Sequence, residues 1–237
     1  MNGKTLYIFL LMLCLATGVQ AATDDELPSA EPTMTVTNNK GETSEETSFN
    51  GDAPMTATFR ANPKDLGAYT PRYEWRFVRA GESAPFLTRY EETTTYTFAE
   101  SGTFTVTLLV SFVNGDDVIE YDQSDGGEPF NITISESLLE FPNAFTPNGD
   151  GINDVFKAKE GYRSIVSFKA IVFNRNGKKL YEWTDPAGGW DGKSGGKDAP
   201  DGGYYLYVQA QGADGKKYEY KKVINVLRGY TESSTAQ

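Results

Sequence analysis

Hydrophobic and polar residues alternate with a period of two along much of the chain after residue 33. Such alternation is typical of strands with one buried face. Turn signals separate the runs, among them Asn114-Gly115, a strong cue for a hairpin. The pattern predicts a small antiparallel β-sandwich over residues 34–136, built from strands at Met34–Asn38, Thr56–Ala61, Arg72–Val78, Thr93–Phe98, Thr103–Phe112 and Phe130–Ser135.

The second half of the chain repeats this kind of pattern. Asn176-Gly177 is expected to form a two-residue hairpin turn, and Asp214-Gly215 a second turn. A second sandwich is therefore predicted over residues 137–228, with strands at Ile165–Asn174, Lys179–Thr184, Tyr204–Ala210 and Lys217–Leu227. The predicted fold class is all-β, with two consecutive Ig-like antiparallel β-sandwich domains.

The two ends of the chain have a different composition. Residues 1–21 combine Lys4, an apolar run over residues 6–16 and small residues up to Ala21, which is the pattern of a cleaved signal peptide. The apolar run is too short for a membrane anchor. Residues 22–33 are expected to form an acidic, solvated leader without a core, and residues 229–237 a polar tail.

Histidine is absent from the sequence, and the one cysteine, Cys14, lies in the predicted signal peptide. The mature chain would therefore lack both residue types. This excludes disulfides, metal sites built from cysteine or histidine, and nucleophiles activated by histidine. We expect a protein that is not an enzyme.

The net charge of −11 is unevenly distributed. Residues 22–135 hold 20 acidic and 7 basic side chains, which gives −13, and residues 136–237 hold 13 and 14, which gives +1. An acidic first half disfavours nucleic acid as a partner, because binding to phosphates requires lysine and arginine.

Trp75 lies within an alternating strand, so we expect it to fill the core rather than to form a ligand platform. The segments Tyr73–Phe77 and Tyr96–Val110 resemble the polycystic-kidney-disease (PKD) type of Ig-like domain. The chain departs from that family at Val78–Gly81, where the family generally has a turn rich in aspartate and glycine. The resemblance covers about residues 33–135.

Residues 139–228 resemble the gliding-motility-associated C-terminal domain, which is the type B sorting domain of cargo for the type IX secretion system of the Bacteroidetes. Five motifs in order carry the resemblance: FPNAFTPNGDGIND at 141–154, FNRNG at 173–177, WDG at 190–192, PDGGYY at 200–205 and VINVLR at 223–228. The residues expected to form the sorting motif are Phe141, Pro142, Asn143, Phe145, Thr146, Pro147, Asn148, Gly149, Asp150, Gly151, Asn153, Asp154, Asn174, Arg175, Gly177, Trp190, Asp191, Gly192, Gly203 and Tyr204.

This resemblance implies an exported, non-enzymatic protein of the cell surface or extracellular space. Its C-terminal domain would be the sorting and anchoring signal, and its PKD-like domain a spacer or adhesion module. The implied partners are the type IX translocon and a PorP/SprF-like outer-membrane protein, reached through the periplasm. Two alternatives stay open: a module that binds a glycan or a protein, and a surface subunit that assembles with itself.

Two features depart from the family pattern of the second domain. Asn176 stands where the family generally has an aromatic residue, which keeps the turn but removes a packing group. The tail after Arg228 extends beyond the point where such domains generally end.

The opening motif allows three interpretations. Its oxygen-bearing side chains could bind calcium, although no glutamate follows at the spacing of an EF-hand. They could instead support turns by accepting hydrogen bonds from nearby backbone N–H groups. A catalytic pair of carboxylates is the third and least favoured interpretation. The residues concerned are Asn148, Asp150, Asn153 and Asp154.

Three further groups have both a functional and a structural interpretation. The acidic stretch could bind calcium or form a solvated hairpin edge. The aromatic residues of the second domain could stack on sugars or dock a receptor, or they could fill the core. The lysines could dock an acidic partner or form a solvated strand edge. These groups are, in order, Asp116, Asp117, Glu120, Asp122, Asp125 and Glu128; Trp190, Tyr204, Tyr205 and Tyr207; and Lys216, Lys217, Lys221 and Lys222.

Overall fold

The computed structural model describes residues 27–229. The predicted signal peptide, the first part of the leader and the tail after Gly229 lie outside the described residues. The described chain is nearly all β-structure, as predicted, with a single helical turn, α1, at Gln123–Gly126. Within this range no helix combines the length and the apolar character needed to span a membrane.

The first domain contains two main sheets that face each other across an apolar core. One sheet has the strand order β3-β2-β5-β9, and the other has the order β4-β12-β10-β7-β8, with β11 paired to the second half of β10. The strands are β1 (Ser29–Ala30), β2 (Thr33–Thr37), β3 (Thr43–Glu46), β4 (Ser48–Gly51), β5 (Met55–Arg60), β6 (Pro63–Lys64), β7 (Thr70–Arg79), β8 (Leu87–Arg89), β9 (Thr93–Phe98), β10 (Gly102–Asn114), β11 (Asp117–Asp122) and β12 (Phe130–Ile134).

The core of the first domain follows from the alternation seen in the sequence. Trp75 is fully buried against Phe59, and its ring nitrogen donates a hydrogen bond to the Glu91 carbonyl. The interpretation of Trp75 as core is therefore confirmed. On the opposite, solvent-facing side of β5, the hydroxyls of Thr56 and Thr58 are each hydrogen-bonded to the hydroxyl of a threonine on β9, Thr97 and Thr95 respectively.

The second domain is built on one five-stranded sheet with the order β13-β21-β20-β15-β16. Two short strand pairs complete the domain: β14 pairs with the distant β17, which brings Phe156 and Trp190 into the core, and β18 forms a hairpin with β19. The strands are β13 (Ala144–Phe145), β14 (Phe156–Lys157), β15 (Ile165–Phe173), β16 (Lys179–Trp183), β17 (Gly189–Trp190), β18 (Lys193–Ser194), β19 (Lys197–Asp198), β20 (Gly202–Gly212) and β21 (Lys217–Val226).

Two local expectations were wrong. The proline-bearing leader does contribute to the fold: β1 pairs with β6, and Ala30 is only 7% exposed. The turn at Asn176-Gly177 is longer than two residues. Asn174 and Lys178 close it through a backbone hydrogen bond of 3.0 Å, and Gly177 has a φ of +76°, which any residue with a side chain adopts at a cost.

A short linker joins the two domains and is itself held in place. Ser137 is buried, and its hydroxyl donates to the Asp214 carboxylate at 2.7 Å. Leu138 forms two backbone hydrogen bonds with Arg163, of 3.1 and 3.0 Å. The segment between the sandwiches is therefore structured rather than extended in solvent.

Candidate functional site

The opening motif of the second domain is anchored by three phenylalanines. Phe141, Phe145 and Phe156 are each at most 5% exposed. Phe141 stacks on Phe156 with ring centroids 6.0 Å apart, and Phe145 contacts Trp190 at 5.4 Å. The next contact, from Trp190 to Tyr204 at 5.2 Å, extends this row of rings into β20. These side chains join three of the motifs in one core.

Between the phenylalanines, the polar residues form a turn held together by hydrogen bonds to the backbone. The two oxygens of Asp154 accept the N–H groups of Gly149 at 2.7 Å and Gly151 at 2.8 Å. Oδ1 of Asn148 accepts the N–H of Asp150, and Oδ1 of Asp150 accepts that of Ile152. The N–H donors hold the pKa of the Asp154 carboxyl below its usual range.

This arrangement matches the interpretation of the motif as turn support. Asn153 takes part through its backbone, with φ at +52°, and its carbonyl accepts the N–H of Thr146 at 2.9 Å. Among residues 27–229 there is no group of three or more acidic side chains placed to hold a metal ion. Calcium binding by the opening motif stays a prediction. The acidic stretch of the first domain contains no cluster of acidic side chains placed to hold a metal ion.

In that acidic stretch, individual carboxylates have structural partners. Asp122 caps α1 by accepting the N–H of Ser124 at 2.8 Å. Glu120 accepts the hydroxyl of Ser111 at 2.7 Å, and Asp117 accepts the hydroxyl of Tyr69. These contacts fit a solvated hairpin edge.

Arg228 connects three of the turns that the sequence motifs form. Its guanidinium donates to the carbonyls of Pro147 and Gly192 at 2.6 Å each and to that of Ala199 at 3.1 Å. The Arg228 N–H donates to Asp201 at 3.0 Å. The last residue of the fifth motif thus ties the opening motif to the WDG and PDGGYY motifs at one end of the domain.

The WDG turn fits closely under this arginine. Gly192 is buried with φ at +76°, and a Cβ there would lie 2.9 Å from both the Arg228 guanidinium and Pro147. Asp191 accepts the N–H of Lys193 at 3.0 Å, and Trp190 donates to the Lys193 carbonyl at 2.7 Å. Glycine is therefore required at 192 for both its backbone angle and its size.

The aromatic residues of the second domain divide into two groups. Trp190 is fully buried and Tyr204 is 8% exposed, with its hydroxyl donating to the Pro200 carbonyl at 2.7 Å. Burial raises the pKa of Tyr204, and the charges of Arg175 and Arg228 oppose this shift. Tyr205 is 51% exposed. The core interpretation thus holds for Trp190 and Tyr204, whereas Tyr205 faces solvent.

Two of the three lysines of β21 contact other residues of the domain. Lys222 donates to Asn143 at 2.7 Å and to the Phe141 carbonyl at 3.2 Å, and burial lowers its pKa. Lys221 pairs with Glu219. Asn143 is therefore a structural member of the motif, since it fixes the chain before β13 onto β21.

Arg175, in the FNRNG turn, differs from the other motif residues. Its neighbour Asn174 accepts the N–H groups of Asn176 and Lys178 and so holds the turn. Arg175 itself is exposed and makes no hydrogen bond or ion pair with any other residue in the described part of the chain. It borders a groove of about 410 Å³ formed by the FNRNG turn and residues 200–204, including Gly203.

The sequence indicates Arg228 only as the end of a motif and does not indicate its structural role. Its partners lie 81, 36 and 29 residues away, so no local pattern indicates them. A residue outside the motifs, Ser164, was also missed. It is fully buried with φ at +49° and accepts the N–H of Ala53 in the first domain.

Comparison with known proteins finds a family for the second domain. Residues 139–226 match the model of the CHU_C Type IX secretion signal domain. No curated protein matches the chain. A crystal structure of dimeric latent PorU from Porphyromonas gingivalis is 12% identical, with a TM-score of 0.26; the match covers 90% of this chain and 21% of that one. A likeness this low supports no conclusion.

The family match coincides with the domain in which the five motifs converge. It supports a protein sorted by type IX secretion, and a signal of that kind implies export to the cell surface or the extracellular space.

Proposed function

We propose that this chain is a non-enzymatic surface protein whose C-terminal domain is read, in folded form, as the address for type IX secretion. The observation that carries the proposal is the convergence of the motifs. Arg228 and the row of rings from Phe141 to Tyr204 unite segments that are far apart in sequence into one end of a single domain. A folded surface, rather than a linear peptide, is therefore what a receptor meets.

Under this proposal the protein first crosses the inner membrane with a cleaved signal peptide and folds in the periplasm. A PorP/SprF-like outer-membrane protein, together with the translocon, then binds the C-terminal domain. Protein–protein contact suffices for such a step.

The first domain serves in this proposal as a PKD-like spacer or adhesion module. Its closed aromatic core and its acidic surface suit a soluble, displayed module, because net charge favours solubility. A pull-down and a glycan array with the full chain test for adhesion; no captured partner would favour the spacer role.

The address role is tested in a bacterium that has a complete type IX system. Protease is added to intact cells that produce either the full chain or a chain lacking residues 139–237, and the fraction of each chain that is digested is measured. We expect the full chain to be digested and the shortened chain to be protected inside the cell. Equal digestion of both chains would refute the address role.

A further inference from the structure

The solvent-facing side of the five-stranded sheet of the second domain carries an exposed apolar strip at the end where β15 finishes and β20 begins. Phe173, Tyr205 and Val223 lie side by side on adjacent strands, since Phe173 pairs with Tyr205 and Tyr205 with Val223. Tyr205 and Val223 are each 51% exposed. The strip forms a shallow hollow of about 410 Å³, with Tyr207 at its border.

Arg175 lies at the end of this strip, two residues beyond Phe173. Its guanidinium rests against Gly202, where a Cβ would lie 2.9 Å from Nη2. The groove beside Arg175 and the hollow beside Tyr205 have no lining residue in common, but they follow one another along the chain, since Asn174 comes directly after Phe173 and Tyr204 directly before Tyr205. The two depressions thus bring a cation to the end of a strip of aromatic and aliphatic groups.

Arg175 is a cation at this surface that makes no ion pair with another described residue. Lys221 is paired with Glu219 at the far side of the strip, and Lys179 is paired with Glu182. Asp201 borders the groove but accepts the backbone N–H of Arg228. Other charged or aromatic motif side chains, such as Asp154, Trp190 and Tyr204, make hydrogen bonds within the domain, whereas Arg175 makes none with the described residues.

We infer that Phe173, Arg175, Tyr205 and Val223 form the docking surface for an acidic segment of the outer-membrane protein that reads the domain. A guanidinium presents paired N–H donors that fit a carboxylate, and the strip accommodates an apolar side chain next to it. Arginine and tyrosine are enriched in protein interfaces and among the residues that dominate their binding energy. The inference rests on the proposed function and names the chemistry of its partner.

The test uses the full chain with single substitutions, expressed in a bacterium with the type IX system. Arg175→Glu should reduce the amount of chain digested on intact cells by at least about tenfold, which corresponds to about 1.4 kcal/mol of binding. Arg175→Lys should retain part of the display, and Val223→Ser should reduce it. Lys217→Glu is the matched control, because it makes the same charge change at the opposite end of β21 and should be displayed normally.

The deletion of residues 139–237 is measured in the same experiment, so that two kinds of failure can be told apart. If the deletion abolishes display and Arg175→Glu does not, the docking surface is wrong and the address role stands. If the deletion has no effect, the address role itself fails. The thermal midpoint of purified Arg175→Glu must equal that of the unmodified chain; if it does not, Val223→Ser decides.

A second copy of the chain is the competing occupant of this surface, since the first domain is strongly acidic. Size-exclusion chromatography of the purified chain tests it. We expect the same monomeric profile for the unmodified chain and for Arg175→Glu. A dimer that disappears in Arg175→Glu would place a second copy on the surface and overturn the inference.

Discussion

At the scale of single residues, the second domain depends on polar groups whose partners are backbone atoms. Arg228 donates to carbonyls in three separate turns, and its side chain is 23% exposed. Asp154 performs the complementary task, because it accepts backbone N–H groups within one turn. Arg228 supplies donors to carbonyls that folding removes in part from water, whereas Asp154 fixes the shape of an exposed turn.

Replacing Arg228 with lysine tests the first of these roles. One ammonium group cannot reach all three carbonyls, so we expect the free energy of unfolding in urea to fall by about 2 kcal/mol or more. Arg163→Lys is the control, since the Arg163 side chain is exposed. Equal stability of both variants would mean that the bonds of Arg228 contribute nothing net.

The Asp154 carboxylate predicts a specific dependence on pH. Its pKa is lower in the folded state than the value of about 3.9 expected for an unfolded chain. The stability that it contributes is therefore fully present above about pH 4. It is lost as the pH falls through the lower, folded-state pKa.

Asp154→Asn removes this contribution, and thermal midpoints measured from pH 7 to pH 2 reveal it. The variant should be less stable at neutral pH, and the two midpoints should converge in acid. Asp214 is present in both chains and cancels from the difference; desolvation raises its pKa, but hydrogen bonds from Ser137 and Lys216 outweigh this and lower it. Glu160→Gln, at an exposed position, is the matched control and should change the midpoint at neutral pH very little. A gap for Asp154→Asn that does not change with pH would contradict the assignment.

At the scale of elements, the turns rather than the strands distinguish the second domain. The WDG turn accommodates Gly192 under Arg228 and against Pro147, whereas the nearby hairpin turn at Gly195 and Gly196 is open. All three glycines have positive φ. Backbone strain and packing can therefore be separated by comparing two of them.

Gly192→Ala and Gly195→Ala should both lose stability through backbone strain, by about 1–2 kcal/mol. Gly192→Ala should lose at least about 1 kcal/mol more, because its Cβ overlaps two neighbours. Urea denaturation of both variants measures the difference. Equal losses of stability would mean that Arg228 and Pro147 move to accommodate the added methyl group at no cost in free energy.

The strands could be predicted because each one carries its own signal. The predicted strand Thr93–Phe98 agrees with β9, since burial on one face imposes the alternation directly on the sequence. Pairing between distant segments has no such local signal. The contacts of Arg228 and the pairing of β1 with β6 could not be read from the sequence for this reason.

In the candidate site, too, local features could be predicted from the sequence and contacts between distant segments could not. The family motifs indicated where the site lies, and their glycines and aspartates indicated turns. They did not indicate which side chains are structural. That distinction depends on burial in the folded domain, which separates Trp190 in the core from Tyr205 on the surface.

At the scale of the whole molecule, the two domains meet through a small polar junction. The Ser164 hydroxyl lies 3.0 Å from that of Ser135, which in turn donates to Asp52. Ser101 donates its N–H to the carbonyl of Ala213, which packs with the core of the first domain. These contacts fix the sorting domain relative to the domain that it carries.

The linker within this junction should resist proteolysis. Ser137 donates to Asp214 through both its hydroxyl and its N–H, so the peptide after Glu136 is held against the turn between β20 and β21 rather than presented to a protease. A protease that cuts after glutamate should therefore leave the native chain intact at Glu136, because cleavage requires local unfolding.

Asp214→Ala removes both acceptors and should speed this cleavage several-fold. Asp191→Ala removes an aspartate that accepts a similar turn hydrogen bond far from the linker, and it should not. Rapid cleavage at Glu136 in the unmodified chain would mean that the domains move independently, and a rigid junction could then have no part in how the sorting domain is presented.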